Sequence, residues 1–371
     1  MYFNIHALHT LPPSNPNRDD TQAPKTAIVG GVVRGRMSSQ SQKRAARLDA
    51  QAKFPDLFNG VRTRELVPAL AAAIAVKHPD VDALEIARAA ATRLSLYKPK
   101  GDGKAAKTPK PDEDVVVDDG SAQALYYSAP QLAAFADLAP EIAAAEGKPG
   151  DKASAAYAER VFGNGHGMEI ALFGRMVANS NISVESAVQT GHAYAVHATT
   201  VESDYFTFVD DLAQGSGAAH LGSTDFYSAT FYRYANINVE QLCTNVGEKP
   251  TAEELAAGIR AYVKSWLLTL PQGHATQFAH NTLPDFIAIE VSNTPFTWTN
   301  AVNKPVSATD AVNETLQRFD ALRTGLLAAF PEDVLSYGLF TTSVNDDHKL
   351  AKGVSGSLDE SITRALEKLA V

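Results

Sequence analysis

"GRMSSQSQKRAARL", residues 35–48, sets four basic residues among three serines in a chain whose formal charge is −9. Ser38 or Ser39 is a good N-cap, and the pattern predicts a helix from there to Phe54. At about 100° per residue, with Gln40 as zero, Lys43 falls at about −60°, Arg44 at about +40° and Arg47 at about −20°. The four share one face. The opposite arc holds Ala45, Leu48 and Ala52, which predicts a helix that packs on a sheet by that arc and shows a basic stripe. Its first turn offers unpaired N–H groups and the positive end of the helix dipole, where an anion is favoured. A solvated face with an ordinary serine cap fits the same residues; phosphate binding gains because cap and stripe are contiguous.

Working outward, the charge is segregated. Residues 21–48 contain Lys25, Arg34, Arg36, Lys43, Arg44 and Arg47 and no acid, a local +6, whereas the rest carries −15 from 27 basic and 42 acidic residues. One basic surface on an acidic body suits single-stranded nucleic acid, whose backbone contacts need charge and reach. The acidic remainder argues against indiscriminate coating. With 371 residues, 45% of them hydrophobic, the chain can build one large domain or two ordinary ones. No apolar run is long enough to span a membrane, and "MYFNIHALHT" (1–10) lacks the pattern of a secretory signal, so a cytoplasmic location is expected. A single cysteine, Cys243, excludes an internal disulfide framework and a cysteine-built zinc site.

"YFNIHAL" (2–8) alternates around Phe3 and Ile5 and reads as an opening strand. Residues 11–37 read as a long loop with a short strand at "AIVGGVVRGRM" (27–37). Residues 61–97 and 121–160 are alanine-rich and helical in pattern, separated by a polar loop over 98–120. At "GNGHGMEIALFGRMVA" (163–178) the texture changes, so the helical block reads as an insertion after which a sheet resumes, with strands near 168–178, 191–198 and 228–238. Thr251 with Glu254, and Ser357 with Glu360, are capping boxes opening helices. "DFIAIEVSN" (285–293) is a further strand. No repeat of fixed period is present.

"NIHALHTLPPSNPNRDD" (4–20), "KTAIVGG" (25–31), "RMSSQSQKRAAR" (36–47), "EIALFGRM" (169–176), "FTFVDDL" (206–212), "GAAHLG" (217–222) and "FYRYANIN" (231–238) stand in the order found in the CasC family. The chain resembles that family, the repeated backbone subunit of the type I-E CRISPR surveillance complex, Cascade, strongly over 1–55 and 165–240 and weakly elsewhere. The resemblance implies an α+β fold: an RRM-like (ferredoxin-like) palm, a large helical insertion as fingers and a β-hairpin as thumb. Palm would cover 1–58, with the basic helix at 39–54, then 166–196 and 231–371 with C-terminal helices; fingers would cover 59–165 and the thumb 197–230.

It further implies several copies along a guide RNA, each thumb displacing a nucleotide, with target DNA and the large, small, guide-end-capping and guide-processing Cascade subunits as partners. No enzymatic activity and no cofactor are implied. Carried over by position, guide-RNA contacts fall at Arg18, Lys25, Ser38, Gln40, Lys43, Arg44 and Arg47, with Met176 near the kinked nucleotide. Phe206 and Thr207 fall near the displaced nucleotide, and Leu221 near the thumb tip. The family's duplex-holding lysine cluster is thinned here to Lys148 and Lys152; Lys104 and Lys107 in the 98–120 loop are alternatives, against the reading of that loop as merely solvated.

Other constellations point less far. "TFYRYANIN" (230–238) puts aromatics on a strand, as RRM domains do to stack bases, but burial in the palm core is the expected reading. "GNGHG" (163–167) lacks the context of a phosphate-cradling loop. His6 with His9, and His192 with His197, miss shared-face spacings, so no metal site is expected. "NRDD" (17–20) leaves one catalytic alternative, a guide-directed ribonuclease of type III backbone kind using Asp20, against an ion pair that orders the loop. A stand-alone single-stranded RNA-binding protein is the other alternative.

Overall fold

The computed structural model of the chain describes residues 1–98, 124–177, 181–208, 220–247, 250–333, 335–344, 350 and 353–369. The protein is α+β and divides into two compact units. Met1–Phe54, Val188–Glu240 and Thr251–Val371 form the first; Pro55–Ala187 and Gln241–Pro250 form the second.

The chain opens with β1 (Tyr2–Ser14), β2 (Thr26–Val29), β3 (Val32–Met37) and α1 (Ser39–Lys53). The second unit follows with β4 (Val61–Thr63), α2 (Leu66–Lys77), α3 (Ala83–Arg93), β5 (Leu125–Tyr127), α4 (Ala129–Ala144), α5 (Lys152–Phe162) and α6 (Gly167–Phe173). Next come β6 (Val188–Thr190), β7 (Ala193–Ala195), β8 (Glu202–Phe208), β9 (His220–Asn238) and α7 (Val239–Val246). The chain ends with α8 (Ala252–Leu268), α9 (Ala275–Phe278), β10 (Phe286–Ser292), α10 (Ala311–Ala329), β11 (Ser336–Ser343), β12 (Val354–Ser355) and α11 (Leu358–Leu369). Both anticipated capping boxes form: Thr251 with Glu254 before α8, and Ser357 with Glu360 before α11. Among the described residues no helix is long and apolar enough to cross a membrane.

Among the described residues of the first unit ten strands make one sheet, ordered β12-β11-β10-β1-β9-β7-β3-β2, with β6 and β8 also paired to β9. Central β1 is antiparallel to both neighbours, His6 standing opposite Tyr234 on one side and Ala288 on the other. Because side chains alternate across a strand, Phe3, Ile5 and Ala7 share a face with Ile237, Ala235 and Arg233. The Arg233 guanidinium reaches Gln42 of α1 at 3.3 Å and the Trp266 carbonyl of α8 at 2.5 Å, which puts both helices on that face. The other face packs Leu8, Tyr232, Phe286 and Ala288 against Trp298, Val302 and Phe319. With both faces covered, both sides of "TFYRYANIN" are buried or nearly so.

Residues 11–37 carry more order than a loop. β1 runs on to Ser14 beside β9, and β2 and β3 form a hairpin closed by Gly30 and Gly31 at φ +64° and +83°. Two consecutive positive φ values are what a tight two-residue hairpin turn demands, and glycine supplies them without strain.

His9, on the helix-covered face, accepts a hydrogen bond at Nδ1 from Arg233 at 3.2 Å and donates from Nε2 to the Thr282 carbonyl at 2.8 Å. Burial, then the Arg233 charge, hold its pKa down from the ordinary 6.5 to about 3. The unfolded chain therefore takes up a proton near pH 6.5 that the folded chain refuses until about pH 3. Stability contributed by neutral His9 is complete above pH 6.5 and falls as pH drops through that window. In urea titrations, His9→Gln flattens the pH dependence of the midpoint between pH 6.5 and about 4 relative to wild type; an unchanged profile contradicts this account.

The second unit packs Leu66, Leu70, Ile74, Ala90, Phe135, Ile142 and Phe162 into its own core. The described residues 168–177 correct the expectation of a strand near 168–178: most of them lie in the helix α6, which opens at Gly167 and ends before Gly174, and among them only Arg175 makes an isolated bridge, to Val184. A short apolar run such as "EIALF" satisfies either period, and tertiary packing chose the helix. Arg175 is buried, donating to the Ile182 carbonyl at 2.8 Å, Gln131 Oε1 at 2.9 Å and the Phe162 carbonyl at 3.0 Å. Residues 166–187 belong to this unit, and the first resumes at Val188.

Candidate nucleic-acid interface

Ser38 caps α1, its hydroxyl accepting from Ser41 N at 3.2 Å. Asn17 Oδ1 accepts from Ser38 N at 2.8 Å and from the Ser41 hydroxyl at 3.2 Å, while the Asn17 carbonyl accepts from Lys25 N at 2.8 Å. One asparagine thus ties the loop after β1 to the start of the basic helix. His192 Nδ1 accepts from Ser39 N at 3.3 Å and faces Arg36 Nη1 at the same distance. Burial first, then Arg36 and Lys25, lower its pKa, so it sits there as a neutral acceptor. Spacing along the sequence marks neither Asn17 nor His192, because their partners lie up to 156 residues away.

The helix rolls differently from the sequence expectation. Its buried line is Gln42, Ala46 and Ala50, while Leu48 and Ala52 are exposed and Ala45 is half-buried. Burying Gln42 is possible because its amide donates to the Gly191 carbonyl at 3.1 Å and accepts from Arg233. The roll leaves Gln40 and Arg44 exposed and Arg47 half-buried, and draws Lys43 toward the sheet. Lys43 Nζ donates to the Val188 carbonyl at 3.0 Å, and burial lowers its pKa.

Arg34, counted in the basic window, is not part of the surface. It is fully buried, donating to the carbonyls of Val302 at 2.7 Å, Asn303 at 2.8 Å and Ala195 at 3.3 Å. A guanidinium has five donors and no acceptor, so carbonyl-rich interior loops can hold it as well as phosphate can.

Lys25 is half-buried and Arg18 exposed, both on the loop that Asn17 anchors. Arg18 Nη1 donates to Gln22 Oε1 at 2.6 Å and meets His274 Nε2 at 3.3 Å. Asp19 orders the loop: its Oδ1 accepts from the Thr21 hydroxyl at 2.7 Å, Thr21 N at 2.9 Å and Ala23 N at 3.1 Å, and the Thr21 hydroxyl leads in lowering its pKa. Asp20 is exposed, and no cluster of metal-ligating side chains exists among the described residues.

β8 and β9 form a hairpin in which Phe206 pairs with Gly222 and Thr207 with Leu221. Alternation puts Thr207 and Leu221 on one face and Phe206 on the other, its ring lying against Gly222. Phe206 and Leu221 are 44% and 57% exposed. Within the anticipated thumb, 197–230, residues 209–219 lie outside the described residues, as do Lys104 and Lys107. Met176, in the second unit, is 92% exposed, and Lys148 and Lys152 are exposed before and at the start of α5 in the same unit.

The sequence profile of a family described as CT1975-like protein matches residues 3–364. A chain of a "CRISPR RNA-guided surveillance complex, pre-nicking" is similar at 30% identity and a TM-score of 0.80, with 99% of each chain covered. A chain of a second "CRISPR RNA-guided surveillance complex" is similar at 27% identity and a TM-score of 0.71, again with 99% of each chain covered. No curated protein matches. With a family profile matched almost end to end, on the fold shared with those two chains, the protein belongs to the CT1975-like family and is a CasC-like backbone subunit.

Proposed function

We propose that this subunit is a non-enzymatic guide-RNA scaffold of a type I-E Cascade complex in the cytoplasm. It assembles in several copies along the guide, kinks it with the β8–β9 thumb and presents it for pairing with target DNA beside the other Cascade subunits. The observation that carries the reading is the outer side of α1: Gln40 and Arg44 exposed, Arg47 and Lys43 half-buried, behind a serine-capped N-terminus. The strand order β10-β1-β9-β7, with α1 following β1 and its hairpin and α8 leading toward β10, supports reading the first unit as an RRM-like (ferredoxin-like) palm. The helical second unit then supplies the fingers. Sequence choice passes to base pairing, and the protein holds phosphates.

The test is the mass of complexes formed on single-stranded RNAs of increasing length at one moderate salt concentration. One protein added per constant increment of RNA is the expected result. A single bound copy at every length contradicts the scaffold.

A further inference from the structure

The Arg18 guanidinium is held from two sides by the same nitrogen. Nη1 donates to Gln22 Oε1 and to His274 Nε2, which must be the acceptor because arginine only donates. The His274 proton therefore sits on Nδ1, which donates to Gln277 Oε1 at 3.1 Å. Both N–H bonds of Nη1 are used in this way. Among the described residues no hydrogen bond engages Nε or Nη2 of Arg18, the parallel pair that matches two oxygens of a phosphate.

One anchor is costly to place. Gln22 has a φ of +72°, a left-handed backbone that glutamine adopts at some expense, while histidine is among the residues that accept it most readily, as His274 does at +49°. The turn that carries His274 is pressed onto the Arg18 loop: Gly273 N donates to the Pro16 carbonyl at 3.1 Å, and a Cβ at Gly273 would stand 2.6 Å from the Asn15 carbonyl oxygen. On its other side Phe278 packs against Phe226 of β9, ring centroids 5.8 Å apart.

We propose that Gln22 and His274 are positioning residues that preset Arg18 as a fork for one phosphodiester of bound RNA, an inference that rests on the guide-RNA reading above. A flexible arginine loses rotamer freedom when it binds; one already held loses less, so preorganisation appears directly as affinity.

The experiment is a double-mutant cycle on the full chain with a labelled oligouridylate: wild type, Arg18→Ala, His274→Ala, both together, and His274→Gln, whose side-chain oxygen restores the acceptor. Thermal unfolding of each variant runs alongside. The expected result is a loss of about fivefold in affinity for His274→Ala, no further loss when it is added to Arg18→Ala, and recovery with His274→Gln. Unchanged affinity in His274→Ala overturns the proposal. So does an equal loss with and without Arg18, or a loss that tracks the unfolding midpoint and is not recovered by glutamine. A wild-type chain that binds no RNA overturns the guide-RNA reading itself, an outcome distinct from these because it appears before any substitution is compared.

Discussion

Replacing both Arg44 and Arg47 with glutamate lowers affinity for single-stranded RNA about a hundredfold, to a similar degree for every sequence tried. Arg44 is exposed and Arg47 half-buried on the outer side of α1, so the exchange turns two positive charges negative along the proposed track. Each phosphate that is no longer neutralised also flattens the dependence of log affinity on log salt by about 0.7. Titrations against homopolymeric and mixed RNAs at several salt concentrations read both effects. A loss confined to particular sequences contradicts phosphate binding, because phosphates are the same in every RNA. Lys43 is a poorer choice for this experiment than the sequence alone suggests. Its ammonium lies against the Val188 carbonyl, and a carboxylate there would set two acceptors against each other and mix folding with binding.

The largest expected loss of stability comes from Arg323→Ala. Glu290 on β10 is fully buried and receives Arg323 Nη2 at 2.7 Å and Nε at 3.1 Å, with the Ser336 hydroxyl also donating to it. Removing the guanidinium leaves a buried carboxylate without its counter-charge, which costs about 3–5 kcal/mol. That is a large fraction of the 5–15 kcal/mol or so that separates a folded domain from its unfolded chain. Urea unfolding measures it. The paired exchange Glu290→Met with Arg323→Met recovers most of the loss, since two apolar groups need no partner. Unfolding midpoints that match wild type in the single variant contradict the account.

Some of the candidate interface was readable in the residues, and what was missed has a common cause. Serine before a basic run located α1 to within a residue or so, because a cap acts across a single turn. The β2–β3 hairpin was missed, since 27–37 was read as one short strand across the paired glycines that turn it. Met176 and Arg175 are neighbours in "FGRM", yet one is exposed and the other buried under carbonyls from three segments, a distinction that spacing does not carry.

By itself, then, the sequence determined whatever depends on neighbours within a turn or a strand period: α1, the capping boxes, the β1 and β10 strands, the acid-free basic stretch over residues 21–48, and through several motifs in register the CasC resemblance. Tertiary structure alone decided which of those charges face solvent. Arg34 is consumed by interior carbonyls, Lys43 leans on Val188, and α1 buries Gln42 in preference to Leu48. It also brought His274 to Arg18 across 256 residues. The physical reason is one of range. Capping and helix periodicity are short-range effects, whereas the burial of a polar side chain is tolerated only where distant segments supply the hydrogen bonds it loses from water.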